Sequence, residues 1–174
     1  MIIAFEGADK LGKTTQAKLL AEKLNCKYIK FPNESLYSGK IIRQILNKEL
    51  PFEPASFQAL QDSNKRETIR RLDPDGKYIF DRFKLSEIVY GLVDGLNEEW
   101  VRENASLLPE PDFTIVFTGK PYGRDSDIYG EKQYEISQLY HNEIVVCRYP
   151  WIFVSGRTIE EVHDEILKMV GGLL

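Results

Sequence analysis

Short apolar runs alternate with stretches in which apolar residues recur every three or four positions, from one end of the chain to the other. Met1-Ile2-Ile3-Ala4-Phe5-Glu6 predicts a buried strand, and the spacing of Ala17, Leu20, Ala21 and Leu24 predicts a helix over 15–24. Residues 27–31 predict a second strand closed by Pro32, and 39–46 a helix. A longer helix is predicted after Pro54, through Phe57, Leu60, Ile69 and Leu72, stopped by the turn Asp73-Pro74-Asp75-Gly76. Residues 78–81 predict a third strand, followed by helices over about 84–96 and 97–107. Residues 113–117 are continuously apolar, as in a strand covered on both faces. A helix over about 131–147, a strand over 151–154 and a helix from Thr158 complete the pattern. Such alternation is the signature of an α/β domain with a mainly parallel sheet. Between Gly119 and Gly130 the chain is polar, with no apolar period, and reads as a candidate lid. No repeat, low-complexity tract or linker interrupts residues 1–174, which are expected to form one domain.

Composition narrows this picture. A hydrophobic fraction of 43% and a charged fraction of 29% are ordinary for a soluble domain of this length. The net charge of −4 argues against a general nucleic-acid partner, although one local site could still be positive. Cys26 and Cys147 offer no disulfide framework and no metal-ligand spacing; both are expected to be small buried thiols in a reducing cytoplasm. Neither a signal peptide nor a membrane span is expected.

The chemistry begins at residues 7–14, Gly7-Ala8-Asp9-Lys10-Leu11-Gly12-Lys13-Thr14, which spell G-x-x-x-x-G-K-T between the first predicted strand and the first predicted helix. That context is what supports such a motif as a phosphate-binding loop. Glycines let backbone N–H groups turn inward around phosphate oxygens, and the following helix points its positive end at them. Lys13 is placed to reach the β- and γ-phosphates of a nucleoside triphosphate, and the Thr14 hydroxyl to coordinate Mg²⁺. With Thr15, the loop makes up the expected nucleotide-binding segment.

In a parallel sheet, ligands bind beyond the carboxyl ends of the strands. There the sequence places Glu6-Gly7, Pro32-Asn33-Glu34, Asp81-Arg82 and Thr118-Gly119-Lys120. Asp81 can hold Mg²⁺ opposite the loop, and Arg82 can clamp an oxyanion bidentately. Asp9 and Lys10 are charged where nucleotide binding alone does not require it. A carboxylate there can reach a hydroxyl of a second substrate, and a cation can help neutralise a migrating phosphoryl group. Asp9, Lys10, Lys13 and Arg82 are therefore the expected catalytic set, acting by positioning and charge neutralisation without a covalent intermediate.

Four blocks make the chain resemble the thymidylate kinase family over nearly its whole length. Phe5 to Gln16 is similar to that family's FEG-x-D-x-x-GK-[ST]-TQ, and Phe31-Pro32 followed by Gly39-Lys40-Ile41-Ile42-Arg43 to its FP…GK-x-IR. Asp81-Arg82-Phe83-Lys84-Leu85-Ser86 with Tyr90 resembles its DR-[YF]-x-x-S…Y block, and Leu108-Pro109-Glu110-Pro111-Asp112 its LP-x-PD. The resemblance implies a P-loop three-layer fold, a five-stranded parallel sheet between helices and a short lid at about 119–131. It implies transfer of the γ-phosphoryl group of ATP to dTMP with Mg²⁺, usually by a homodimer. Carried over by position, Asp9 would engage the 3′-hydroxyl side of the acceptor, Arg82 its phosphate, and Tyr90 its deoxyribose. Lys10 stands where some members place a catalytic Arg, and Lys65 where the family has an Arg that reads the base edge. Arg124 would support the adenine ring. Phe31, Glu34, Gln61, Ser86 and Tyr129 complete the implied acceptor side.

Two departures stand out. Asn33-Glu34 occupy the place of the usual Arg after Phe-Pro. A carboxylate 4 Å from an acceptor phosphate would be opposed by about 4 kcal/mol at an effective dielectric of 20. Either Glu34 points away, or Arg82 holds the acceptor with help from Arg70 or Arg71. Gln61 and Lys65 replace an aromatic residue and an Arg. Glu34 also keeps an alternative open, since deoxynucleoside kinases share this architecture and place a Glu after the second strand as general base for the sugar 5′-hydroxyl. A kinase of another or modified pyrimidine deoxynucleotide is a related alternative. A nucleotide-dependent switch would need a water-positioning residue and an order–disorder segment. The Phe-Pro, Asp-Arg-Phe and Pro-Asp blocks favour a monophosphate acceptor.

Overall fold

The structure is a computed structural model and describes residues 1–123 and 126–173. Strands β1 (Ile2–Gly7), β2 (Lys27–Lys30), β3 (Tyr78–Asp81), β4 (Phe113–Thr118) and β5 (Trp151–Phe153) pair in parallel in the order β2-β3-β1-β4-β5. Helices α1 (Lys13–Lys23), α2 (Tyr37–Leu46), α3 (Pro54–Arg70), α4 (Lys84–Val93), α5 (Glu98–Ser106), α6 (Gln133–Cys147) and α7 (Ile159–Val170) connect and flank them. α1 packs on β1, β2 and β3 and touches α7, while α3, α5 and α6 gather around α4. β1 and β3 lie inside this sandwich, which is why their sequences are apolar runs rather than alternating ones.

The order of strands positions the site. The chain leaves β1 toward β2 on one side and later reaches β4 on the other, so a crevice opens beyond the carboxyl end of β1. Phe5 is in register with Asp81 of β3, which brings the Asp81-Arg82 strand end level with the loop after β1. Local signals set the helix ends. The Glu53 carboxylate caps the N–H groups of Ala55 and Ser56 ahead of α3, and Thr158 and Glu161 form a reciprocal capping box at α7. α4 stops at Val93, short of the predicted 96, because Gly95 takes φ +76° just beyond it.

The cysteines correct an expectation. Cys26 is half-buried and Cys147 exposed. Cys147 ends α6 after Ile144-Val145-Val146, and consecutive helical positions point in different directions, so Ile144 is buried while Val145 and Val146 are exposed. Among the described residues, no helix is long and apolar enough to cross a membrane.

Candidate active site

The loop between β1 and α1 is shaped by backbone conformations that few residues accept. Gly7 has φ +129°, and a Cβ there would sit 2.5 Å from the Phe117 carbonyl oxygen, so only glycine fits. Lys10 and Gly12 also have positive φ, 59° and 81°. Left-handed residues at intervals turn successive N–H groups inward and make an anion-binding concavity. The chain has turned by Gly12, so α1 begins at Lys13, two residues before the periodicity predicts. Lys13 is buried, and its ammonium donates to the Ala8 carbonyl oxygen. Burial, joined by the Arg82 charge, brings its pKa down to about 8 against the pull of Asp9 and Asp81.

Thr14 and Asp81 face one another across the loop, the Thr14 hydroxyl donating to Asp81 Oδ2 at 2.5 Å. The Tyr28 hydroxyl from β2 donates to the same oxygen at 3.1 Å. A hydroxyl and a carboxylate are hard oxygen ligands, a donor set that fits Mg²⁺ shared with phosphate oxygens.

Asp9 and Arg82 join the loop to the β3–α4 turn. Asp9 Oδ1 accepts from Arg82 Nη2 at 2.5 Å, and Oδ2 accepts from the Tyr90 hydroxyl at 3.0 Å. Burial works to raise the Asp9 carboxyl, but Arg82 and Lys13 outweigh it and hold it well below the ordinary carboxylate range. Arg82 itself has φ +68°, a sparsely populated conformation for a side-chain-bearing residue, and its guanidinium lies 5.0 Å from the centre of the Tyr90 ring. Beneath it is a group the sequence reading did not select. Glu6 is fully buried, accepts from the N–H groups of Phe83 and Leu85 at 2.8 and 3.1 Å, and accepts the Ser86 hydroxyl. Burial raises its pKa against these bonds. Glu6 thus fixes the turn that aims Arg82, and its signal was a carboxylate ending an otherwise apolar strand.

A cavity of about 730 Å³ runs from this loop toward α3 and α4. Asp9, Lys10, Leu11, Gly12, Lys13, Thr14, Phe31, Gln61, Lys65, Asp81, Arg82, Ser86, Tyr90 and Tyr129 all line it. So do Arg43, Gln58 and Glu87, which sequence reasoning missed. Gly7 and Ala8 are buried outside the lining, and Thr15 is exposed outside it. The Ser86 hydroxyl is taken by Glu6 and lies 3.3 Å from Arg82 Nη1, so it serves the Arg82 network. Arg124 lies outside the described residues.

Glu34 corrects another expectation. Its carboxylate accepts from Arg43 Nε at 2.8 Å and lies beside a separate, shallower depression, not the main cavity. Arg70 and Arg71, of which one or the other was an alternative helper, are exposed and outside the cavity lining; Arg71 pairs with Glu67. Arg43 on α2 and Lys30 at the end of β2 both line the cavity. The expected lid is tied at both ends. Tyr122 N–H donates to the Lys10 carbonyl at 2.9 Å, Ile128 N–H to the Leu46 carbonyl at 3.2 Å, and the Tyr129 hydroxyl to Asp94 at 2.6 Å.

A family model described as thymidylate kinase matches residues 5–166. Thymidylate kinase of Caenorhabditis elegans is 32% identical over 158 residues, covering 80% of this chain and 72% of that protein. Its counterpart in Schizosaccharomyces pombe is 31% identical over 195 residues, covering 99% and 92%. Among solved structures, thymidylate kinase from Candida albicans superposes with a TM-score of 0.81 at 27% identity, covering 99% of this chain and 91% of that one.

Proposed function

The chain belongs to the thymidylate kinase family, and from that premise we propose that it transfers the γ-phosphoryl group of ATP to dTMP, giving dTDP, through the residues of this cavity. The observation that carries the reading is the Asp9–Arg82 ion pair, because it couples a nucleotide-binding loop directly to an oxyanion-binding arginine on another strand. A loop that only held a nucleotide would not need that connection. The loop N–H groups and Lys13 hold the ATP phosphates, while Arg82 receives the acceptor phosphate with Arg43 at its flank. Lys10 neutralises charge as the phosphoryl group moves, and Asp9 with Tyr90 engages the sugar. Thr14 and Asp81 would hold Mg²⁺, and the ion would supply charge neutralisation to the phosphates. Every group acts by placement and charge.

The deoxynucleoside-kinase alternative is not favoured. A general base must reach the hydroxyl it deprotonates, whereas Glu34 is turned to Arg43. We further propose action as one kinase domain, assembly as a homodimer and a cytoplasmic location, the last in keeping with two free thiols. Incubation with ATP, Mg²⁺ and dTMP, followed by chromatographic identification of the product, tests the reading. dTDP is expected; absence of any phosphorylated acceptor contradicts it.

A further inference from the structure

A buried ion pair lines the cavity where α3 meets α4. Gln58, Gln61 and Lys65 are spaced three and four apart on α3 and line the cavity together. The Lys65 ammonium donates to Oε2 of Glu87 on α4, and both side chains are almost wholly buried. Gln58 Nε2 donates to the other oxygen of Glu87 at 2.8 Å and to its main-chain carbonyl at 2.9 Å. Glu87 is therefore held from two sides by α3, and Lys65 is held by Glu87. With the acceptor phosphate at Arg82, as proposed above, the α3–α4 lining is left for the base of a bound nucleotide.

We propose that Glu87, braced by Gln58, is a specificity-determining positioning residue that orients Lys65 toward a 4-oxo pyrimidine and against a 4-amino one. This rests on the dTMP reading above. An ammonium carries three N–H donors and no acceptor. One donor is committed to Glu87, and a ligand in the cavity that Lys65 lines would meet the others: a 4-oxo group accepts there, and a 4-amino group presents a second donor. Two donors face to face, cut off from water, leave both unsatisfied. Glu87 also keeps the ammonium from being a buried unpaired charge, the state that would drive Lys65 out of the site.

The test compares kcat and KM for dTMP, dUMP and dCMP in the full chain, in Glu87→Gln, in Lys65→Met and in the double variant. Glu87→Gln is expected to raise the KM for dTMP and dUMP about tenfold while kcat falls by less than about threefold. The preference for dTMP over dCMP, as a ratio of kcat/KM, is expected to fall about tenfold. If Glu87 acts through Lys65, the double variant loses no more than about twofold beyond Lys65→Met. A folded Glu87→Gln with unchanged KM and preference overturns the proposal, as does an equal loss on all acceptors or an additive loss in the double variant. Should Glu87→Gln not fold, Gln58→Met tests the same brace: a smaller shift in the same direction supports the proposal, and unchanged selectivity overturns it. A wild-type chain that makes no dTDP overturns the underlying reading instead. Failure of the proposal alone leaves dTDP formation intact.

Discussion

Asp9 Oδ1 and Arg82 Nη2 lie 2.5 Å apart, linking the loop after β1 to the turn after β3. Each residue gains its orientation from the other and from fixed neighbours: Tyr90 holds the free oxygen of Asp9, and Glu6 with Ser86 holds the turn that carries Arg82. Both residues line the main cavity. Replacing Arg82 with Met removes a positioned charge from the transferring phosphates, and kcat is expected to fall by roughly 10²–10³. Asp9→Asn leaves that charge present but loosely held, so the acceptor KM is expected to rise by about tenfold with a smaller change in kcat. Steady-state kinetics with dTMP varied at saturating ATP separates the two.

Lys13 gives a pH signature. Its folded pKa of about 8 lies below the ordinary 10.5, so between these values the folded, ligand-free protein binds fewer protons than the unfolded chain. Stability of the ligand-free protein therefore rises with pH across that window, and the full cost of burying the ammonium is present below it. Phosphate oxygens reverse the balance by restoring the ammonium. Binding ATP at about pH 8.5 should take up part of a proton, visible as a calorimetric enthalpy that changes with buffer ionisation. Lys13→Met should show no such buffer dependence.

Glu34 tests the choice between phosphate and nucleoside acceptors. Because Glu34 itself does not line the main cavity and its carboxylate bonds Arg43, Glu34→Gln is expected to change kcat by less than about threefold, whereas loss of a general base costs about 10²–10⁴. A loss of that larger size would return Glu34 to a catalytic role. Arg43→Met should raise the acceptor KM with little effect on the KM for ATP.

Tyr129 anchors one arm of the 119–130 segment. Its hydroxyl bonds Asp94, and its ring meets Tyr90 edge-on at 4.7 Å. Tyr129→Phe keeps the ring contact and deletes one hydrogen bond, with an expected loss of about 1 kcal/mol in stability. Urea unfolding at neutral pH measures it; an unchanged midpoint would mean that Asp94 finds another partner.

The phosphate loop was legible in the sequence because its chemistry is contiguous: eight adjacent residues carry both the turn geometry and the ligating groups. The central strands β1, β3 and β4 were legible because strands buried on both faces must be apolar. Glu6, Arg43, Gln58 and Glu87 were not, because the groups that give them meaning come from other elements. Glu6 meets Ser86 across a separation of 80 residues, and Glu87 meets Lys65 only where α3 packs on α4. Glu34 was selected for its place after β2, while its direction depended on Arg43, one face of α2 away. Cys147 was misjudged because an apolar neighbourhood in sequence spreads around a helix in space.

The central claim is that this cavity hands a phosphoryl group to a nucleoside monophosphate, and initial-rate ADP release measured with dTMP and with thymidine as acceptor tests it most directly. ADP release that depends on dTMP, is near background with thymidine and is lost in Lys13→Met is the predicted result. Release that depends on thymidine instead, or that proceeds equally without any acceptor, would contradict it.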